Sequence, residues 1–462
     1  MRILILSAST GGGHKRAAQA LQKYVEENEK TSQVKVIDAL EEVGHLFNKT
    51  ISEGYTFMAK NTPNFYGNVY NSSDKETVMN TAVTKISQQF AKKLAPYIRG
   101  YEPDVIISMH PFATTMISKL KEDKKVNSKL VAVLTDFSPH RTYINNFVDA
   151  YIVSSEEMKN QLKQYQIDEK IIYSVGIPID PVFYEKYDKE ALLSEMGFDS
   201  SKKTILIMAG SFGVTDILKI YQNISKIKKE FQIIVITGKN KKLYDSFEEM
   251  FNQSELKIKQ ARAKHIKLNS DSKLDSLLDE IVENIVKDKE NELTKTLVDK
   301  NVEYKENRKK FKLKVNDSQA KIKDELLEST LIKKVYLNNK LIGITKPTKL
   351  LYFVNDVNKY MQVSDLIITK PGGLTVSESL ASILPMAIFQ AFPGQEAQNA
   401  DFLVRNNMAV LLPKGEKCKS VIEQLIVNDD RLDEMKNACK EYNNPESAKN
   451  VFEVAKNLLG EL

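Results

Sequence analysis

Leu366-Ile367-Ile368-Thr369-Lys370-Pro371-Gly372-Gly373-Leu374-Thr375-Val376-Ser377-Glu378 runs from an apolar strand, through two glycines, into a helix. A backbone that turns this way presents unpaired N–H groups and the positive end of a helix dipole to a phosphate. Glu378, about a turn further on, cannot serve the same phosphate, since both are anionic. It sits beside it instead, placed to accept hydrogen bonds from sugar hydroxyls. The next apolar run, Met386–Phe389, leads to Pro393-Gly394-Gln395-Glu396-Ala397-Gln398-Asn399-Ala400, where Gln395 and Glu396 add a second polar cluster. The stretch therefore predicts an α/β unit that binds a nucleotide and a sugar.

Working outward, short apolar runs alternate with amphipathic stretches along most of the chain. Ile3–Leu6, Val34–Ile37, Val105–Ser108, Val131–Leu134 and Ala150–Val153 read as strands, with helices starting near His14, Ala113 and Glu156. Such alternation specifies a parallel sheet with helical crossovers. Gly176-Ile177-Pro178-Ile179-Asp180-Pro181 then interrupts the pattern, and its two stiffening prolines suit a hinge. A second series follows: Thr204–Met208, Ile233–Ile236, Leu350–Val354, Leu366–Ile368, Met386–Phe389 and Ala409–Leu412. Two Rossmann-like halves result. The last helix, Ser447 to Leu459, carries Val451, Phe452, Val454, Ala455 and Leu458 at a spacing suited to packing on one of them.

The second series is broken by 251–345, which differs in composition from its surroundings. No proline occurs between Pro181 and Pro347 and no glycine between Gly238 and Gly343, while Lys, Glu and Asp are dense. Leu274, Leu277, Leu278, Ile281 and Ile285 fall at helical spacing. The segment is expected to be a charged, mostly helical insertion, with a strand or two as the alternative for its later part. The domains expected are 1–176, then 177–250 with 346–462, with 251–345 inserted in the second.

The chain has 462 residues, enough for at least two cores. Its 67 Lys and Arg against 61 Asp and Glu give +6, too mild for a dedicated nucleic-acid binder yet compatible with an anionic membrane surface. Cys418 and Cys439 form neither a disulfide framework nor a zinc motif. No run approaches the roughly 20 apolar residues of a membrane span. A soluble or peripheral protein in a reducing cytoplasm is expected.

Ser9-Thr10-Gly11-Gly12-Gly13-His14-Lys15-Arg16 joins the first strand to the first helix. A P-loop would need Gly directly before Lys15, and a dinucleotide fingerprint would need Gly at position 16. What remains is a glycine turn that delivers a histidine to a helix N-terminus. There the macrodipole, with Lys15 and Arg16, keeps His14 neutral, as a base must be. Thr135-Asp136-Phe137 follows another strand of this half, and Asp136 could orient His14, act as base itself or cap a turn. His14, His110 and His140 match no zinc spacing, so no metal is expected. Gly210-Ser211-Phe212-Gly213 is a further strand-to-helix turn in the second half, completing a pyrophosphate cradle with Lys370, Gly372 and Gly373. Between Phe47 and Tyr70, aromatics including Phe57, Phe65 and Tyr66 are interleaved with lysines; they suit either a core-facing helix or a membrane-interfacial surface.

Taken together, Gly11-Gly12-Gly13-His14, Thr135-Asp136-Phe137, Gly176-Ile177-Pro178, Lys370-Pro371-Gly372-Gly373 with Glu378, and Pro393-Gly394-Gln395-Glu396 resemble the bacterial branch of the monogalactosyldiacylglycerol synthase and processive diacylglycerol glucosyltransferase family. The resemblance covers 1–250 and 347–462. It implies the glycosyltransferase B fold, two Rossmann-like domains facing a cleft, with a UDP-sugar donor in the second half and diacylglycerol entering through the first. By motif it implies Ser211 and Gly213, with Gly210, at the diphosphate, Phe353 and Val354 by the uracil, and Glu378, beside Thr375, at the ribose. Gln395 and Glu396 would hold the donor sugar, and His14 would be the acid/base group near the acceptor. Gly12, Gly13, Phe57, Phe65 and Tyr66 would line the acceptor and membrane side. The family is similar in fold to the enzyme that glycosylates the lipid-linked peptidoglycan precursor, whose corresponding loop lacks the Pro-Gly-Gln-Glu form. No cofactor beyond the donor is implied, and a peripheral location on the inner face of the cell membrane is expected. The 251–345 segment departs from the family, which has a short connection there. A UDP-sugar epimerase of the same architecture and a non-catalytic UDP-sugar sensor stay open as alternatives.

Overall fold

The structure, a computed structural model, describes residues 1–8, 12–44, 78–208, 214–252, 346–389 and 391–460. It divides into two compact units, one of Met1–Ile224, Lys228–Asn240 and Thr348–Leu462, the other of Ser225–Ile227 and Lys241–Pro347. The first unit contains both sheets. In the second, residues 241–252 are helical, with the Phe247 and Phe251 rings 5.9 Å apart.

The first sheet takes β1 (Arg2–Ser7), β2 (Gln33–Asp38), β3 (Val105–Ser108), β4 (Lys129–Val133), β5 (Ala150–Ile152) and β6 (Ile172–Tyr173) in the order β2-β1-β3-β4-β5-β6. Crossovers are made by α1 (Gly12–Asn28), α2 (Ala39–Val43), α3 (Val78–Tyr101), α4 (Pro111–Glu122) and α5 (Glu156–Gln164). The second sheet takes β7 (Thr204–Met208), β8 (Gln232–Ile236), β9 (Thr348–Leu351), β10 (Leu366–Thr369), β11 (Met386–Ile388) and β12 (Ala409–Leu411) in the order β12-β11-β10-β7-β8-β9. Its helices include α6 (Lys189–Glu195), α7 (Val214–Ile224), α8 (Val357–Val363), α9 (Gly373–Ala381) and α10 (Gln395–Arg405), followed by α11 (Lys417–Val427), α12 (Asp429–Glu441) and α13 (Ser447–Asn457).

Every strand pair in both sheets is parallel. Parallel strands covered by helices on both faces need apolar residues throughout, which is why they read as short unbroken apolar runs. In β1 the alternation sorts the two faces. Ile3 and Ile5 join one buried cluster, whereas Leu4 and Leu6 join the other.

Strand order reverses between β1 and β3 in the first sheet and between β7 and β10 in the second. Open α/β sheets bind ligands outside the carboxyl ends of the strands at such points. The N-terminus of α1 and the β3–α4 turn lie at the first, and the Lys370–Gly373 turn lies at the second. The terminal helix α13 packs back on α1 of the first half, where Phe452 lies 6.1 Å from Tyr24. The segment before it is fastened to the hinge by Asn444, which donates to the Val175 carbonyl at 2.7 Å and accepts from the Tyr184 hydroxyl at 2.6 Å.

Candidate active site

His14 is the third residue of α1 and half-buried at the first switch point. Its Nδ1 lies 2.7 Å from the Met109 carbonyl oxygen and 2.9 Å from Thr135 Oγ1. A carbonyl can only accept, so Nδ1 carries the proton and Nε2 holds the free lone pair. Met109 itself is fixed, because its N–H extends the ladder of β1 by bonding Leu6 O at 2.9 Å. The His110 ring meets His14 edge-on, with centroids 4.7 Å apart and planes at 76°. His110 Nδ1 accepts the Phe112 N–H at 3.2 Å and caps α4. Burial depresses the pKa of both rings; for His14 the Asp136 charge and the Met109 carbonyl pull the other way. The result is a neutral imidazole with an available Nε2.

Asp136, half-buried on the loop after β4, is tied to the other half of the molecule. Its Oδ2 accepts from Gln395 Nε2 at 3.1 Å and its Oδ1 from Asn399 Nδ2 at 3.0 Å. Burial raises its pKa from its ordinary value, opposed by the hydrogen bond from Asn399 and by the charges of His14 and His140. The groups that orient the His14 ring are thus the Met109 carbonyl and the Thr135 hydroxyl, while Asp136 acts on it through its field.

The second switch point is assembled around α9 and α10. Gly372 and Gly394 precede these helices without a side-chain cap, so the leading N–H groups of each helix are available to an anion, although that of Ala397 in α10 is bonded to the Phe392 carbonyl at 3.0 Å. Gly394 has φ 107° and ψ −136°, a conformation that essentially only glycine adopts. At Gly373 the constraint is contact: a Cβ there would stand 1.9 Å from the Thr135 carbonyl oxygen and 3.1 Å from Asp136 Oδ1. The two loops therefore touch backbone to backbone. Gly13 approaches the same region, where a Cβ would lie 3.6 Å from that of Leu374, and Gly12 has open space around it.

Lys370 is buried, with Nζ 4.1 Å from the centre of the Phe392 ring. Glu396 accepts the Phe392 N–H at 3.0 Å; burial raises its pKa, with Lys370 opposing. Thr375 is half-buried on α9, and Glu378 lies deeper, 2 % exposed. Its Oε1 pairs with Arg16 Nη1 at 3.0 Å, and its Oε2 is buried without a hydrogen-bond partner. Burial pushes its pKa up to about 7, against the pull of Arg16. Phe353 is half exposed beneath the Lys239 ammonium at 5.1 Å, and Val354 packs on the core.

Lys370, Gly372, Gly373, Thr375, Glu378, Gln395 and Glu396 thus lie on the turns and helices α9 and α10 of the second half, which meets the first half at Arg16, Thr135 and Asp136. Gly210, Ser211, Gly213, Phe57, Phe65, Tyr66 and the insertion 253–345 lie outside the described residues. Two contributors were not anticipated. Arg16 reaches across to Glu378, a contact that local sequence does not encode. Asn399 is 1 % exposed; its amide donates to Asp136 and to Pro371 O at 3.0 Å, and its carbonyl accepts the Phe137 N–H at 2.8 Å. Its four-residue spacing from Gln395, which puts both on one helix face, was the available signal.

Residues 14–179 match the model of the monogalactosyldiacylglycerol (MGDG) synthase family, and 328–458 that of the glycosyltransferase family 28 C-terminal domain. Each half of the chain thus matches a glycosyltransferase family model. Relatives of the transferase include the processive diacylglycerol beta-glucosyltransferases of Bacillus pumilus, 23% identical over 98% of this chain and 94% of that one, and of Staphylococcus epidermidis, 24% identical over 99% and 93%. Among solved structures, MurG of Acinetobacter baumannii aligns with TM-score 0.53 and 12% identity over 99% of each chain. A putative UDP-N-acetylglucosamine 2-epimerase of Listeria monocytogenes aligns at 0.52 and 10%, over 100% of this chain and 97% of that one. With the two parallel six-stranded sheets, these likenesses establish the glycosyltransferase B fold of the transferase. Among its described residues no helix is long and apolar enough to cross a membrane, and no three His, Cys, Asp or Glu form a metal-holding group.

Proposed function

We propose that the protein is an inverting transferase that moves glucose from UDP-glucose to the free hydroxyl of diacylglycerol and repeats on its own product. The activity for which the relatives are named supports the reaction class. The observation that carries the chemistry is His14, whose Nδ1 is committed to the Met109 carbonyl and whose Nε2 is free.

The acceptor hydroxyl attacks the anomeric carbon from the side opposite the diphosphate. A new C–O bond forms as the bond to the phosphate oxygen breaks, and UDP leaves with the electron pair. The hydroxyl proton passes to Nε2 of His14, and the imidazolium so formed is stabilised by the nearby Asp136 charge. Negative charge growing on the diphosphate meets the N-termini of α9 and α10 and the Lys370 ammonium, with Gly210, Ser211 and Gly213 completing the cradle. Glu378 takes the ribose hydroxyls, Phe353 and Val354 flank the uracil, and Gln395 and Glu396 take those of the sugar. Gln395 then exchanges its bond to Asp136 for one to the donor.

On this reading 1–176 is the acceptor domain, 177–250 with 346–462 the donor domain, and 251–345 an insertion in the latter. Diacylglycerol arrives from an anionic membrane surface, with Phe57, Phe65 and Tyr66 on the entry side and the protein peripheral on the inner face. Purified protein incubated with labelled UDP-glucose, UDP-galactose or UDP-N-acetylglucosamine and diacylglycerol vesicles is expected to yield labelled glucosyl- and then diglucosyl-diacylglycerol from UDP-glucose. An epimerised nucleotide-sugar formed without acceptor, or donor binding without product, would replace the proposal with an epimerase or a sensor.

A further inference from the structure

The donor half contains one carboxylate whose environment is completed from the opposite half. Glu378 sits on α9 among α1, α12 and the one-turn helix Pro181–Tyr184. Arg16 holds one of its oxygens at 3.0 Å, yet among the described residues none donates to the other, which is buried. An orphaned buried carboxylate oxygen costs free energy, and its persistence marks a place where a ligand supplies the donor. Arg16 differs from its partner in exposure: its side chain is 47% accessible against 2% for Glu378. The cation is thus anchored at the cleft surface and points its charge down at a group that would otherwise be alone.

We propose that Arg16 is a positioning residue of the donor site, lent by the acceptor half, which keeps Glu378 an oriented carboxylate so that its second oxygen can accept a ribose hydroxyl. The inference rests on the reading of Glu378 as the ribose acceptor. A neutral carboxyl would be a poorer partner, because one of its oxygens would carry a proton and compete as a donor. The raised pKa of Glu378, about 7, agrees with a group that needs its neighbouring cation to stay ionised at neutral pH. Of the ionisable groups on the packed elements, Arg16 is the one that acts on it. The Cys439 thiol of α12 and the Tyr184 hydroxyl are both pushed upward and stay neutral in this range.

Donor affinity then depends on a residue of each half, Arg16 and Glu378.

The test measures UDP-glucose affinity by calorimetry, and donor KM against kcat, between pH 6 and 9 in the full-length protein and in Arg16→Gln, Arg16→Lys and Glu378→Gln. UDP-glucose is the probe because its diphosphate gains no proton across this range. In the unaltered protein affinity falls as pH drops through about 7. Arg16→Gln is expected to move that midpoint upward, weakening binding about fivefold at pH 7 for a displacement of about one unit and recovering by pH 9. Arg16→Lys, which retains the charge, should stay near the original profile. A pH-independent loss in Arg16→Gln, or an unmoved midpoint, would overturn the positioning role. If Glu378→Gln leaves affinity and its pH dependence untouched, the ribose assignment itself fails. If Glu378→Gln weakens binding while Arg16→Gln does not, only the inference about Arg16 fails.

Discussion

The N-terminus of α1 and the β10–α9 turn both stand at a topological switch point, but their surroundings are finished differently. Around His14 every orienting group comes from its own half: the Met109 carbonyl, the Thr135 hydroxyl and the edge of His110. Around α9 the partners come from the other half: Arg16 on Glu378, the Thr135 carbonyl against Gly373, and Asp136 on Gln395 and Asn399. The His14 ring is therefore oriented within its own half, whereas the polar groups of α9 and α10 are engaged by the first half.

The largest effect should come from Gly373→Ala, which inserts a methyl group between two backbones. With 1.9 Å to Thr135 O, neither side can yield without separating the halves, and a loss of about 3 kcal/mol or more is expected together with loss of transfer. Denaturant unfolding and turnover would show it, and wild-type values for both would break the close contact. Glu378→Gln should act in the opposite sense on stability. Because the folded pKa of Glu378 lies above its ordinary 4.5, the folded chain takes up that proton more readily, so the ionised group is a burden above about pH 7 that disappears as pH falls below 4.5. The neutral isostere should therefore stabilise the protein at pH 8, on the order of 2–3 kcal/mol, with no gain at pH 4. A thermal scan at both pH values separates this from a pH-independent change.

Asn399→Ala removes the amide that ties Asp136, Phe137 and Pro371 together, and should cost about 2 kcal/mol with reduced turnover. If turnover were unaffected, the position of the Asp136 loop would not matter for the reaction. The smallest effect belongs to Lys23→Ala, whose ion pair with Asp180 at 2.8 Å joins α1 to the hinge at the surface. It should change stability by less than about 1 kcal/mol and fade further in salt.

The same contrast explains what could be read from the chain. Strands such as Val105–Ser108 and Thr204–Met208 coincide with their apolar runs, because burial on both faces leaves no other composition possible. β6, Ile172–Tyr173, was missed because two residues carry no periodicity. His14 was legible because glycines, histidine and helix start are contiguous. Glu378 was legible as a polar residue beside a phosphate turn, but its partner Arg16 stands 362 positions away in a segment read for another purpose. Likewise Asp136 left three roles open in the sequence; the hydrogen bonds from Gln395 and Asn399 that bind it across the cleft are contacts between halves, which no local pattern specifies.

The proposed division of labour, with a base oriented within one half and a donor site completed from the other, is tested most directly by the single-turnover rate of His14→Ala at saturating UDP-glucose with diacylglycerol vesicles. A fall of about 10²–10⁴-fold with unchanged donor affinity is predicted. A near-normal rate, or a loss carried entirely by weaker donor binding, would contradict the account.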